Sequence, residues 1–266
     1  IVTLAASASA SILTEKEKEE IDMVIVATES GIDQSKAAAV FVHGLLGIQP
    51  FARSFEVKEA CYGATAALHY AKLHVESSPQ SKVLVIASDI AKYGAATPGE
   101  PTQGAGSVAM LITKNPRILS FNNDNVAQTR DVMDFWRPNY SSTPYVNGLY
   151  STQQYLDCLT TTWEEYQKRY NWTLDDFAAI CFHLPYPKLA LKGLRSMMDQ
   201  TLSEEKQNSL QENFDKSILY SQMIGNIYTG SLFLGLLSLL ENAENLKAGD
   251  KLALYSYGSG AVSEFF

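Results

Sequence analysis

The chain has 266 residues, 46% hydrophobic and 19% charged, which is the balance of a globular enzyme with a large core and not that of a disordered or fibrous chain. A formal net charge of -8 excludes broad nucleic-acid binding, so an anionic ligand needs a local basic cluster. Three cysteines, Cys61, Cys158 and Cys181, make no disulfide framework and fit a reducing, cytoplasmic compartment.

The opening IVTLAASASASIL has the small and apolar residues of a signal-peptide core but no basic flank. TEKEKEE continues it as an amphipathic helix over 7–20, so a secretion signal is rejected. DMVIVAT (22–28) reads as a strand with Glu29-Ser30-Gly31 at its end, and 33–46 as a helix that Asp33 can cap. After an approach segment comes Cys61, then a helix opened by the small residues Gly63, Ala64 and Thr65. KVLVIASD (82–89) is an apolar run of strand length. The Gly- and Pro-rich 93–104 is a loop, and 106–113 and 117–121 are expected to be paired strands.

Residues 122–150 carry many aromatics and prolines without a period and read as a long loop. A helix follows over 151–170, with Ser151 and Gln154 spaced as a capping box. Thr173 and Asp176 mark another helix start, 178–183 is a short strand, and 188–200 and 203–214 are helices. Residues 226–240 form an apolar helix, too short to span a bilayer, and KLALYSY (251–257) is a strand running into Gly258-Ser259-Gly260. Alternating strands and helices give an α/β class. A faint internal echo links Cys61-Tyr-Gly-Ala-Thr plus helix and strand with Asn226-Ile-Tyr-Thr-Gly plus helix and strand, either a duplicated unit or no more than two ordinary αβ units.

Cys61 at a helix N-terminus is a thiolate candidate, against the alternative of a buried structural cysteine. Glu29 at a strand end is a candidate general base or a surface loop glutamate. His183, before the rigid Leu-Pro-Tyr-Pro turn, is the best acid/base histidine or a satisfied semi-buried one; His43, His69 and His74 lie in helix patterns. Lys188, Lys192 and Arg195 share one helical face, a phosphate site or a solvated surface. Thr102, Ser151 and Ser259 are hydroxyl candidates, and the N–H groups around Ser259 can hold an oxyanion. No metal-ligand spacing and no Gly-rich phosphate loop is present, so a cofactor-free, thiol-based acyl transfer fits these pieces.

VATESGIDQSKAAA, KEACYGATAAL, VIASDIAKYG, EPTQGAG, DFWRP, CFHLPYPK, GNIYTGSL and SYGSG occur in that order, and with them the sequence resembles the 3-hydroxy-3-methylglutaryl-CoA (HMG-CoA) synthases of bacterial type along essentially its whole length. The resemblance implies the thiolase-like layered αβαβα fold, with halves of about 1–122, carrying the cysteine, and 178–266, carrying the histidine and asparagine, joined by a 123–177 insertion. It implies acetyl-CoA and acetoacetyl-CoA as substrates, no resident cofactor and no metal, a homodimer, and no nucleic-acid or membrane partner.

By the same resemblance Cys61 carries the acetyl group, Glu29 takes a proton from its methyl, and His183 handles acetoacetyl-CoA. Asn226, Ser259, Thr102 and Ser151 match substrate or acyl positions, Lys188 and Lys192 match CoA-contacting lysines, and Asp89 and Asp134 match supporting acids. The family begins ahead of Ile1 with a strand and continues past Phe266. The chain is therefore expected to be a fragment incomplete at both ends, lacking a central strand of its first sheet. The rival readings are a polyketide β-branching synthase, a β-ketoacyl carrier-protein synthase relative without the Glu29 base, and an inactive CoA-binding fragment.

Overall fold

The computed structural model describes residues 1–198 and 201–266. They separate into two compact units. The first comprises Ile1–Ala91, Gly104–Phe121 and Ile227–Gly230, and the second Lys92–Gln103, Asn122–Asn226 and Ser231–Phe266.

In the first unit α1 (Val2–Ala10) and α2 (Glu15–Glu20) precede β1 (Ile21–Ala27), followed by α3 (Ala38–Leu46), β2 (Arg53–Val57), α4 (Gly63–Ser77), β3 (Lys82–Ile90) and β4 (Ala105–Thr113). The sheet order is β2-β1-β3-β4, parallel except for β4. Strand β1 is buried along nearly its whole length, as a parallel strand covered on both faces should be, and so shows no polar alternation. Val24, Val26, Leu84 and Ile86 pack with Ala5 of α1 and Ala38, Ala39 and Val42 of α3. Helix α4 packs on β1 and β3 as well. Strand periodicity points Met23, Ile25, Val83 and Val85 to the face opposite Val24 and Leu84.

Several expectations change here. Residues 7–20 are two helices, because Thr14 is extended and forms a capping box with Glu17 that starts α2 afresh. Asp33 does not cap α3: its carboxylate accepts from the Ser35 and Lys36 amides at 2.7 and 2.8 Å, closing a local turn. The first amide of α3, Ala38 N, donates instead to Glu56 Oε2 at 2.7 Å. The approach segment is strand β2, whereas 117–121 forms no strand; β4 pairs with β3, and Phe121 packs its ring on His69. The expected central gap is not there, since β1 hydrogen-bonds directly to β3.

The second unit contains β5 (Val126–Thr129), β6 (Phe135–Trp136), β7 (Tyr145–Val146), α5 (Gly148–Tyr170), β8 (Ala179–Phe182), α6 (Pro187–Met197), α7 (Glu204–Ser217), α8 (Leu219–Ile224), α9 (Ser231–Asn242), β9 (Leu252–Gly258) and β10 (Val262–Phe265). Its sheet runs β5-β10-β9-β8, with β8 and β9 parallel and β10 antiparallel to both neighbours. The triplet β8-β9-β10 thus repeats the arrangement of β1-β3-β4, with α9 ahead of β9 as α4 is ahead of β3. The internal echo in the sequence reflects this repetition. The core is aromatic: Tyr155, Trp163 and Tyr166 of α5 meet Tyr255, Tyr257 and Phe265 of the sheet.

The long loop 122–150 holds β5, which pairs with β10, and the β6–β7 ribbon. Helix α5 starts three residues before Ser151, and Asn147 Oδ1 caps it by accepting from Tyr150 N at 3.2 Å. Thr173 and Asp176 do form a capping box, on a single 3-10 turn. The predicted helix 188–200 is α6, ending at Met197; residues 199 and 200 lie outside the described ones. Asn226 is not helical: Gly225 (φ +86°) breaks the chain between α8 and a 3-10 turn at Tyr228–Gly230, and α9 begins at Ser231. A Cβ at Gly225 would strike the Gln103 backbone. Gly225→Ala is therefore expected to lower stability by roughly 1–3 kcal/mol or more, read by urea unfolding.

Candidate active site

Two residues singled out in the sequence meet in the first unit. Glu29 follows β1 in the turn beyond its C-terminal end, and Cys61 lies just ahead of α4. The Cys61 thiol donates to Glu29 Oε1 at 3.2 Å, and both residues are half-buried. Ala60, immediately before the cysteine, holds a left-handed φ of +39°. Such a conformation in a residue with a Cβ persists only where its surroundings fix it. The positive end of the α4 dipole favours an anion at Cys61. Cys158 and Cys181 are buried thiols whose pKa burial raises, for Cys181 to about 12, so neither yields a thiolate near neutral pH.

Asp89 sits fully buried in β3. Its Oδ1 accepts from Thr28 Oγ1, Glu29 N and Ser30 N at 2.8, 2.9 and 3.0 Å, and its Oδ2 from Thr229 N at 3.3 Å. Burial raises its pKa to about 6, while the four donors, none of which needs a proton on the carboxyl, hold the anion. This anion fixes the backbone of Glu29, the residue whose carboxylate meets Cys61. Thr28 and Thr229 were not singled out in the sequence. Thr28 is adjacent to Glu29, but Thr229 reaches Asp89 from 140 residues away.

In the second unit His183 follows β8 and is 2% exposed. Its amide donates to Tyr255 O at 2.8 Å and its carbonyl accepts from Tyr155 Oη at 3.0 Å, while Nδ1 has no hydrogen-bond partner among the described residues. Burial lowers its pKa to about 3, so the ring is a neutral imidazole at physiological pH. In the unfolded chain it titrates near 6.5; the neutral ring's contribution is complete above that value and is lost as pH falls towards about 3. Between pH 7 and pH 5.5 this group alone should cost about 1 kcal/mol of stability. Urea unfolding of His183→Gln at the two pH values should show the acid loss reduced by that amount; an unchanged loss excludes His183 as its source.

Asn226 is buried, with its amide on Thr102 O at 2.8 Å, its Nδ2 on Tyr93 Oη at 3.0 Å and its Oδ1 accepting from Ser231 Oγ at 2.8 Å. Thr102 and Asn226 are thus brought together, although the Thr102 hydroxyl turns back to Gly99 O. Buried Asp134 accepts from Tyr257 Oη at 2.7 Å and Gly260 N at 2.9 Å, which pins the turn that carries half-buried Ser259. The expectation that the N–H groups of this turn hold an oxyanion is corrected for Gly260, whose N–H Asp134 occupies. Ser151 lies in the first turn of α5 and is no cap. Lys188, Lys192 and Arg195 are exposed along one side of α6, opposite buried Leu189, Ala190 and Gly193. Among the described residues no group of three or more His, Cys, Asp or Glu is placed to hold a metal, and no helix is long and apolar enough to cross a membrane.

The two repeated α/β units place the chain in the thiolase-like class, and solved structures agree. A structure described as an HMG-CoA synthase complexed with CoA matches with a TM-score of 0.99 and 70% identity, covering 100% of this chain and 69% of that one. One described as MvaS in complex with 3-hydroxy-3-methylglutaryl coenzyme A matches with a TM-score of 0.87 and 34% identity, over 99% of this chain and 71% of that one. The profile for the hydroxymethylglutaryl-coenzyme A synthase N terminal part matches residues 6–117, and the C terminal profile residues 125–217 and 196–266. The chain belongs to the hydroxymethylglutaryl-CoA synthase family. It is 56% identical to the hydroxymethylglutaryl-CoA synthase of Enterococcus faecalis, over 100% of this chain and 69% of that protein. A polyketide biosynthesis 3-hydroxy-3-methylglutaryl-ACP synthase of Bacillus subtilis is 35% identical, over 96% of this chain and 64% of that protein.

Proposed function

We propose that this protein condenses acetyl-CoA with acetoacetyl-CoA and water to give HMG-CoA and free CoA, in isoprenoid precursor synthesis by the mevalonate pathway. The observation that carries the reading is the Cys61 thiol 3.2 Å from the carboxylate of Glu29, a residue whose backbone N–H donates to Asp89. The Cys61 thiolate attacks the acetyl carbonyl, CoA thiolate leaves, and the proton lost by Cys61 goes to the departing sulfur. Glu29 then takes a proton from the acetyl methyl, and the resulting carbon attacks the ketone of acetoacetyl-CoA. The alkoxide formed there accepts a hydrogen bond from the neutral His183 N–H and takes up the equivalent of the proton that Glu29 removed, which gives the tertiary hydroxyl and returns Glu29 to its carboxylate. Water finally cleaves the Cys61 thioester, leaving a carboxylate on the product and the thiol on the enzyme. A covalent acetyl group spares the chemistry a second bimolecular encounter.

Thr102, Ser151, Asn226 and Ser259 are proposed to contact the acyl groups, and Lys188 and Lys192 the phosphates of CoA. In this scheme Asp89 and Asp134 support the site, the CoA thioesters are substrates, and no resident cofactor takes part. A cytoplasmic homodimer belongs to the same reading. The higher identity to the CoA-dependent enterococcal protein than to the carrier-protein synthase favours free CoA thioesters. The test is intact-mass spectrometry after incubation with acetyl-CoA: one acetyl group is expected, mapped by peptide digestion to Cys61. Acetylation of Cys158 or Cys181 instead, or none, overturns the reading.

A further inference from the structure

We propose that Thr229 is a positioning residue for Cys61, capping the nucleophile's helix from the far end of the chain and joining it to the same buried anion that holds the base. Helix α4 has no cap of its own: Tyr62 stands at its N-cap and makes no side-chain capping bond. The amide of Ala64 donates instead to Thr229 Oγ1, at 2.8 Å, across 165 residues of sequence. Both residues are buried, Ala64 at 0% and Thr229 at 1% exposure, so water cannot replace the bond. An unpaired amide there would carry its full desolvation cost.

The backbone of Thr229 makes the second connection, its N–H donating to Asp89 Oδ2, while Oδ1 of the same carboxylate holds Glu29 N and Ser30 N. One residue therefore ties the start of the Cys61 helix to the group that orients Glu29. The packing leaves little slack. A Cβ at Gly63 would meet Val57 O at 3.3 Å, and one at Gly230 would meet Ile227 Cδ1 at 2.8 Å and Ala87 Cβ at 3.7 Å. Left-handed backbone flanks the contact on both sides, at Ala60 (φ +39°) and Tyr228 (φ +47°). A turn in that conformation is held by its neighbours, and the Thr229 hydroxyl is a neighbour that reaches the first turn of the helix after Cys61.

The inference rests on the reading of Cys61 as the acyl acceptor. The comparison uses Thr229→Val, which keeps shape and loses the oxygen, and Thr229→Ser, which keeps the oxygen and loses the methyl. In Thr229→Val the rate constant for Cys61 acetylation at saturating acetyl-CoA should fall roughly ten- to hundredfold, the size of effect a displaced reacting group produces. The half-saturating acetyl-CoA concentration should stay within about twofold, because the change touches orientation and not thioester binding. Thr229→Ser should restore the rate to within about threefold of the parent.

Alkylation of Cys61 by iodoacetamide, which needs no CoA, should follow the same ranking. If the parent protein takes up no acetyl, the proposed function fails, and the alkylation ranking still decides the role of Thr229. Should Thr229→Val not fold, Thr229→Ala, which removes the oxygen without adding bulk, carries the comparison. An unchanged rate in the oxygen-free variants, or a serine variant as slow as they are, overturns the proposal.

Discussion

Replacing Cys61 by serine should leave a folded protein that takes up no measurable acetyl from acetyl-CoA, a fall of roughly three orders of magnitude or more. Removal of one sulfur from a half-buried position changes packing little, so far-UV circular dichroism and unfolding midpoint should stay close to those of the parent. The chemistry changes because a serine hydroxyl holds its proton far more tightly than a thiol. The carboxylate 3.2 Å away is too weak a base to remove it, and the dipole of α4 cannot make up the difference. The other two cysteines offer no substitute: burial raises the pKa of both, and neither opens a helix. An acetyl adduct that persists in Cys61→Ser would place the nucleophile elsewhere.

Glu29→Gln should separate the two chemical stages. The substitution keeps size and leaves the backbone bond from residue 29 to Asp89 intact. It keeps an amide oxygen to accept from Cys61 but removes the ability to take a proton. Acetyl transfer needs a thiolate and no carbanion, so the acetyl-enzyme should still form. Condensation needs the methyl proton removed and should fall by roughly 10²–10⁴, the contribution of a general base. Rapid-quench measurement of acetyl-enzyme and HMG-CoA reads both stages in one experiment. In His183→Ala the acetyl-enzyme should also form, with the loss appearing in acetoacetyl-CoA affinity. If Glu29→Gln condenses at nearly the parental rate, Glu29 is not the base, and a mechanism built on cysteine, histidine and asparagine becomes the better account.

The sequence by itself determined the class and the family, and it singled out Cys61 and Glu29 one by one; their contact is a product of the fold. The short apolar runs MVIVA and VLVIA have the length of buried strands, and the small residues after Cys61 announce a helix start. The ordered run of motifs from VATES to SYGSG is specific enough to name the family. Short-range chemistry was legible wherever it was complete within a few residues, as in the Thr173–Asp176 capping box. It was misread where two local solutions competed. Asp33 and Ser151 both have the residue type of a helix cap, yet Asp33 closes a turn and Asn147 caps α5, because each helix starts where tertiary packing lets it.

Only the tertiary structure decided which distant groups complete those local motifs. Strands β2, β5 and β10 are too short or too weakly patterned to stand out, and they exist because a neighbouring strand offers a ladder. The first amide of α3 is satisfied by Glu56, and that of Ala64 in α4 by Thr229, in each case because a helix end leaves buried N–H groups that some oxygen must meet. Which oxygen meets them depends on the folded path of the chain. For that reason Thr229, 165 residues from the helix it caps, left no mark near Cys61 in the sequence, and Asp89 showed its four donors only once the strands were in register.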